Sequence, residues 1–227
     1  MSIHLSQNHY GKSRVRVMKV TRLADRHTLK EVTVNVQFEG QFEKVYTDGD
    51  NSNVLPTDTM KNTVYALAKN HTLNTIEEFG QALAKYFLDN NPDVYRVTLE
   101  LIEGLWNRIE VDGRPHSHSF TSAGNEKRVA IVTQTRESST VTSGIQDLLV
   151  LKTTGSAFQG YIKDKWTTLK ETDDRIFATN MNVRWEYTKR DVNYSACHDT
   201  VRKALLETFA EQNSLSVQHT VYAMGQA

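Results

Sequence analysis

The 227-residue sequence contains one cysteine and three prolines, and it has no apolar run long enough to cross a bilayer. The single cysteine, Cys197, excludes an intramolecular disulfide and a multi-cysteine metal site, and is typical of a reducing compartment. The 27 basic and 27 acidic residues leave no net charge, so we expect no nucleic-acid or membrane partner. The apolar fraction of 38% is typical of a folded chain.

Common nucleotide, cofactor and nucleophile signatures are also missing. The sequence has no P-loop, no G-x-G-x-x-G fingerprint and no G-x-S-x-G elbow. His116 and His118 share one face of a predicted strand, but no third metal ligand is obvious nearby. We interpret them as structural or surface histidines. The sequence therefore predicts no metal, flavin, nicotinamide or haem.

The hydrophobic periodicity predicts two similar units. Residues 10–137 are predicted to form two strands, two helices and two more strands, whereas residues 138–227 give two strands and two helices only. The expected fold class is α+β, with an antiparallel sheet and helices on one face of each unit. Because the second unit would lack its last two strands and leave an open edge, we expect a fragment or a truncated product.

Three local features make specific structural predictions. A slip in the alternation at Met18 predicts a β-bulge in the first strand. Thr75 and Glu78 form a capping box that predicts the start of the second long helix. In the second unit, the apolar run after Asp147 predicts a strand that begins there.

The stretch from Leu55 to Asn62 predicts a helix start. Thr57 suits the N-cap position, and Asp58 in the first turn complements the helix dipole. Such a start also directs N–H groups and a hydroxyl toward a small anion, although ordinary capping explains the same residues. Lys12 would be a solvated lysine unless the fold places its amine near the Thr57 hydroxyl, where it could take a proton.

Three residues of the second unit suggest a ligand site only when they are taken together. Phe158 is either a core residue or a ring that stacks on a planar ligand. Arg175 is either a solvated charge or a bidentate clamp, and Gln218 is either a surface residue or an amide donor and acceptor. A stacking ring, a guanidinium and a carboxamide together would form a purine-like pocket.

Several segments resemble the urate oxidase (uricase) family. Trp166 is a departure, because the family has Tyr or Phe at this position of its signature. The matching segments are Leu149-Val150-Leu151-Lys152-Thr153-Thr154-x-Ser156-x-Phe158-x-x-Tyr161 with Thr167-Thr168-Leu169 and Arg175, Asp50-Asn51-Ser52 with Pro56-Thr57-Asp58-Thr59-x-Lys61-Asn62-Thr63, Tyr10-Gly11-Lys12, and Ser216-Val217-Gln218.

The resemblance implies tandem T-fold units in a homotetramer with a central tunnel, whose active sites are shared between subunits. It implies that Lys12 and Thr57 form a catalytic dyad, that Phe158 stacks on the purine and that Arg175 clamps it. The substrate-binding residues that it implies are Thr57, Asp58, Phe158, Arg175, Val217 and Gln218.

The reaction that the resemblance implies is the oxidation of urate by O2 and water to 5-hydroxyisourate and H2O2 in purine catabolism, with no cofactor or metal. The family continues past the last helix into strands that carry an asparagine and a histidine of the site, so we expect little activity from these 227 residues. The alternatives are a truncated, inactive homologue, a non-catalytic T-fold subunit, or a different T-fold enzyme. Family members are peroxisomal in eukaryotes and cytoplasmic in bacteria, and Gly225-Gln226-Ala227 is not a peroxisomal signal.

Overall fold

The computed structural model describes residues 5–189 and 191–227. The elements are β1 (Tyr10–Arg22), β2 (His27–Gly40), α1 (Glu43–Thr47), α2 (Thr57–Asn70), α3 (Ile76–Asn90), β3 (Val94–Val111), β4 (Arg114–Gln134), β5 (Ser139–Lys152), β6 (Phe177–Glu186), α4 (Tyr194–Glu211) and α5 (Val217–Gln226). Strand order in the sheet follows the chain, from β1 to β6, and the pairs from β1 to β5 are antiparallel. The predicted α+β class is confirmed.

The described chain divides into two compact units. The first comprises residues 5–146 and 183–189, and the second comprises residues 147–182 and 191–227. The strands β5 and β6 therefore contribute residues to both units. The domain limits expected from the repeat, 10–137 and 138–227, stay a prediction, because compactness does not define where a structural repeat begins.

The first unit is built on one buried face of its sheet. α2 packs against β1, and α3 packs against β3 and β4. The side chains of Phe79, Leu83 and Phe87 are fully buried, as the apolar stripe of α3 predicts. Burying side chains of this size stabilises the fold by about 1.5–3 kcal/mol each. Thr75 caps α3, because its hydroxyl oxygen accepts a hydrogen bond from the Glu78 N–H at 3.3 Å. This is the first of the two hydrogen bonds that the predicted capping box would make.

The bulge of β1 lies earlier than the sequence predicts. Pairing with β2 is regular from Val15 to Arg22, and the irregularity falls between Lys12 and Val15. Arg14 there has a φ of 59°, and its N–H donates to Asn35 Oδ1 at 2.8 Å. The prediction at Met18 was wrong. The alternation breaks there because Met18 is an apolar side chain on the exposed face, 52% accessible, and the strand pairing does not shift.

β5 begins at Ser139, well before the predicted start at Asp147. Residues 139–146 pair with β4, but their Ser and Thr content hides the strand from an apolar-run criterion. Asp147 instead marks an irregularity with a φ of 58°, and its N–H donates to Asn182 Oδ1 at 3.1 Å. The Asp147–Asn182 pair reproduces in the second unit the Arg14–Asn35 pair of the first.

A lysine follows each of these irregularities at the same separation along the chain and caps a helix. Lys19 Nζ donates to backbone carbonyls at the end of α2, and Lys152 Nζ donates to carbonyls at the end of α4. A cation at a helix C-terminus satisfies free carbonyls and complements the dipole. The two units therefore share local construction although they share no obvious sequence identity. The acceptors are Ala68, Lys69 and His71 for Lys19, and Phe209 and Gln212 for Lys152.

The second unit buries a smaller set of side chains. α4 and α5 contact each other, and the rings of Phe177 and Phe209 lie 5.4 Å apart. Asn193 caps α4 by accepting a hydrogen bond from the Ala196 N–H. None of the helices in the described part of the chain is long and apolar enough to span a membrane.

Candidate active site

The helix α2 starts without help from a side chain. The N-cap residue is Pro56, with φ −55° and ψ 138°, and no side chain within the described ranges caps this end. The prediction that Thr57 is the N-cap was wrong, because proline already supplies the turn and Thr57 becomes the first helical residue. Thr57 is exposed and lies in the first turn, where N–H groups without helical partners can bind an anion.

Asp58 organises the charge at this helix start. Its carboxylate pairs with Lys61 and accepts a hydrogen bond from Asn62 Nδ2 at 2.9 Å. The pKa of Asp58 is lowered, first by the hydrogen bond from Lys61 and by its charge, and to a smaller extent by Lys12. Lys12, which lies far away in sequence, accounts for the smallest part of this lowering.

The position of Lys12 depends on a close approach between β1 and β2. A Cβ on Gly11 would lie 1.9 Å from the carbonyl oxygen of Val36, so only glycine fits beside Lys12. The irregularity between Lys12 and Val15 then changes the direction of the strand. Lys12 is half-buried and pairs with Val36, immediately before the irregularity.

Phe158 and Arg175, two of the three residues that the sequence suggested for one pocket, lie together in the second unit. Arg175 Cζ lies 5.3 Å from the centroid of the Phe158 ring, within the range of a cation–π contact. Tyr161 is stacked on the same ring, with centroids 4.8 Å apart and planes 12° apart. The Phe158 N–H donates to the Thr172 carbonyl at 2.9 Å, which fixes the backbone that carries the ring.

The start of α5 is joined to the segment just before Phe158. The Ala157 N–H donates to the Ser214 carbonyl at 2.7 Å, and the Ser214 N–H donates to the Gly155 carbonyl at 2.9 Å. Ser216 then caps the helix, which leaves Val217 and Gln218 in its exposed first turn. A stacking ring, a guanidinium and a helix start with an amide side chain are thus built on connected backbone.

The histidines of β4 have a neighbour that the sequence did not suggest. The ring centroids of His116 and His118 are 4.5 Å apart, and the ring of His27 from β2 lies 5.8 Å from His118. Within residues 5–189 and 191–227, no group of three or more His, Cys, Asp or Glu side chains is arranged to hold a metal ion. The interpretation of His116 and His118 as structural or surface residues stays a prediction.

Two units of antiparallel strands and helices, with the same strand irregularity and the same lysine-capped helix in each, define the tandem T-fold class of protein. The uricase family model matches residues 8–133 and 141–227 of this sequence. The chain belongs to the uricase family, whose members are urate oxidases and therefore oxidoreductases.

The chain is similar to uricases of bacteria and eukaryotes. A uricase of Arthrobacter globiformis is 42% identical over 223 residues, which cover 98% of this chain and 72% of the relative. A uricase of Oryctolagus cuniculus is 41% identical over 220 residues, covering 94% of this chain and 73% of the relative.

Solved structures agree with this assignment. The crystal structure of the Arthrobacter globiformis uricase superposes with a TM-score of 0.92 at 41% identity, covering 99% of this chain and 76% of that one. The urate oxidase of Bacillus sp. TB-90 superposes with a TM-score of 0.86 at 25% identity, covering 96% and 82% of the two chains. These likenesses agree with membership in the uricase family.

Proposed function

We propose that this protein oxidises urate with O2 and water to 5-hydroxyisourate and H2O2, without a cofactor or a metal. Two electrons leave urate and reduce O2, which takes up two protons to become H2O2, and the oxygen atom of water is added to the purine. The observation that carries the proposal is the contact between Phe158 and Arg175, in a chain that belongs to the uricase family.

The second unit would hold the purine. Urate is a planar anion, so the Phe158 ring would stack on it and the Arg175 guanidinium would donate paired hydrogen bonds to it. Val217 and Gln218 would contact the edge of the heterocycle, through a backbone N–H in the first turn of α5 and through the carboxamide. These groups orient the substrate and do no chemistry themselves.

The first unit would move the protons. Thr57 carries a hydroxyl at the start of α2, and the charge of Lys12 acts on the neighbouring Asp58. We assign Lys12 and Thr57 to a proton-transfer pair: the Thr57 hydroxyl oxygen takes a proton from bound urate while the Lys12 amine, in its neutral form, takes the Thr57 hydroxyl proton and becomes an ammonium. The more electron-rich urate anion that results gives up electrons to O2 more readily. Asp58 would contact the ligand at the same helix start.

The two groups of residues would meet across a subunit boundary. In this proposal the protein is a homotetramer, and Thr57 and Asp58 of one subunit face the Phe158, Arg175 and Gln218 of a neighbour. The compartment would follow the source of the protein, namely the cytoplasm of a bacterium or the peroxisome of a eukaryote. Size-exclusion chromatography with light scattering tests the tetramer directly.

Urate oxidation is tested by following the loss of the urate ultraviolet absorbance by the purified 227-residue protein, together with release of H2O2. We expect little turnover from these 227 residues by themselves, as the resemblance implies. Whatever turnover occurs should consume urate and form H2O2 in equal amounts, require O2 and stay unchanged in excess chelator. Arg175→Ala should abolish urate binding, whereas Arg26→Ala, which removes an exposed arginine of the β1–β2 turn, should not. A protein that binds urate through Arg175 but never turns it over would be the non-catalytic homologue instead.

A further inference from the structure

The carboxylate of Asp174 is surrounded by hydrogen-bond donors from a separate segment of the chain. Its Oδ2 accepts a hydrogen bond from Thr154 Oγ1 at 2.7 Å, and its Oδ1 accepts one from the Gly155 N–H at 2.8 Å. The Ser156 N–H lies 3.5 Å from the same Oδ1. A turn whose successive N–H groups point inward binds an anion, and here the anion is a side chain of the protein.

This arrangement connects the chain segments that carry the side chains proposed to bind the ligand. Asp174 immediately precedes Arg175, and the residues that it binds come shortly before Phe158. The same segment pairs with Ser214 through a parallel bridge to Ser156, just ahead of α5. Three stretches of chain, around 154–158, 172–175 and 214–218, are therefore joined at one carboxylate and its hydrogen-bond partners.

Asp174 differs from the acidic residue beside it. Its pKa is lowered, first by the hydrogen bond from the Thr154 hydroxyl and then by the N–H groups of Gly155, Ser156 and Arg175, each of which contributes less than the opposing effect of burial. Both acids are exposed, but the Asp173 side chain makes no hydrogen bond to any residue that the structure describes. The sequence Thr172-Asp173-Asp174-Arg175 does not distinguish the two acids.

We propose that Asp174 is a positioning residue of the substrate site, whose carboxylate holds Phe158 and Arg175 in the geometry that binds the planar anion. It does not touch the substrate, and it acts through the loop that presents the ring and the guanidinium. The identity of the ligand as urate rests on the proposed function, whereas the positioning of the loop does not.

The test compares Asp174→Asn with the matched control Asp173→Asn in the full chain. The amide cannot accept two sets of donors as a carboxylate does, so we expect the KM for urate to rise about tenfold in Asp174→Asn. kcat at saturating urate should change by less than about twofold, because the proton-transfer groups lie elsewhere. Asp173→Asn should match the unchanged protein, and Thr154→Val, which removes one donor, should give a smaller rise in KM.

A second measurement separates this inference from the proposed function. Amide hydrogen exchange at Phe158, whose N–H is bonded to Thr172, should become faster in Asp174→Asn and not in Asp173→Asn. If the unchanged protein fails to bind or oxidise urate, the proposed function is wrong and the exchange result alone decides the role of Asp174. An unchanged KM in an active Asp174→Asn protein, or unchanged exchange at Phe158 in an inactive one, would overturn the inference.

Discussion

The hydroxyl oxygen of Tyr10 accepts a hydrogen bond from the backbone N–H of Leu55 at 2.9 Å. Tyr10 lies two residues before Lys12, and Leu55 lies two residues before Thr57. The bond therefore joins the strand end that carries the proposed amine to the loop that presents the proposed hydroxyl. The Tyr10 ring is fixed in turn by edge-on contacts with Phe38 and Phe42, at centroid distances of 5.8 and 4.7 Å.

Tyr10→Phe should lower kcat for urate by about three- to tenfold with little change in KM. The ring keeps its packing, but the Leu55 N–H loses its acceptor, so the start of α2 is held less firmly relative to Lys12. Steady-state kinetics measures both constants. Tyr95→Phe removes the hydroxyl of an exposed tyrosine in β3 and should leave them unchanged. Equal kinetics for Tyr10→Phe and Tyr95→Phe would show that the bond has no role in catalysis.

Lys12 and Thr57 should behave as one unit in a double-mutant cycle. Lys12→Met and Thr57→Val should each lower kcat by about 10²-fold, which is the contribution typical of a general acid–base step. The kcat of the double variant should be only slightly below that of the less active single variant. Lys69→Met and Thr59→Val make the same two substitutions at exposed positions of α2 and serve as controls, which should leave kcat unchanged. Multiplicative losses in the double variant would mean that the two side chains act independently.

The buried pair of Glu77 and Arg128 should tolerate double replacement better than single replacement. Glu77 is fully buried, accepts a hydrogen bond from Ser143 Oγ at 2.5 Å and lies 3.3 Å from Arg128 Nη2. Arg128→Met alone leaves a buried carboxylate without its cation and should lower the free energy of unfolding by about 3–5 kcal/mol. Adding Glu77→Gln should restore part of that loss.

Urea unfolding of the two single variants and the double variant measures this coupling. The exposed pair of Lys85 and Asp89 is a suitable control, because its partners are 69% and 56% accessible. Asp89→Asn should change stability by less than about 1 kcal/mol. Additive losses at Glu77 and Arg128 would contradict the expected coupling.

The ionisation of Asp58 should respond more to Lys61 than to Lys12. Its pKa is lowered from the ordinary 3.8, with the hydrogen bond from Lys61 as the largest cause and the charge of Lys12 as the smallest. Lys61→Met should therefore raise this pKa more than Lys12→Met does, and Lys69→Met should leave it unchanged. Carboxyl NMR titration measures the three shifts, and the reverse order would place Lys12 closer to Asp58 than the structure has it.

The direction in which pH changes the stability of the fold follows from the lowered pKa of Asp58. A carboxylate whose pKa is lowered in the folded state stabilises the fold above its ordinary value of 3.8, and this contribution is lost as pH falls through the lowered pKa. Asp58→Asn should therefore be less stable than the unchanged protein at neutral pH. The difference between the two should disappear in acid.

Local patterns predicted the regular elements of the first unit well. The stripe of α3 and its cap at Thr75 follow from side-chain spacing and from one hydroxyl, which are properties of a single segment. The polar start of β5 at Ser139 escaped prediction because pairing with β4 stabilises it, and pairing is not a local property. Thr57 was misplaced by one residue because Pro56 takes the N-cap position.

The sequence by itself determined the fold class, the membership in the uricase family and the set of candidate residues, because these depend on composition, periodicity and long motifs. Only the tertiary structure decided where the bulge of β1 falls, that the Tyr10 hydroxyl accepts a hydrogen bond from the Leu55 N–H, and that Asp174 rather than Asp173 accepts hydrogen bonds from Thr154 and Gly155. Such relationships depend on strand register and loop closure between distant segments. Neither is encoded in the neighbourhood of any one residue.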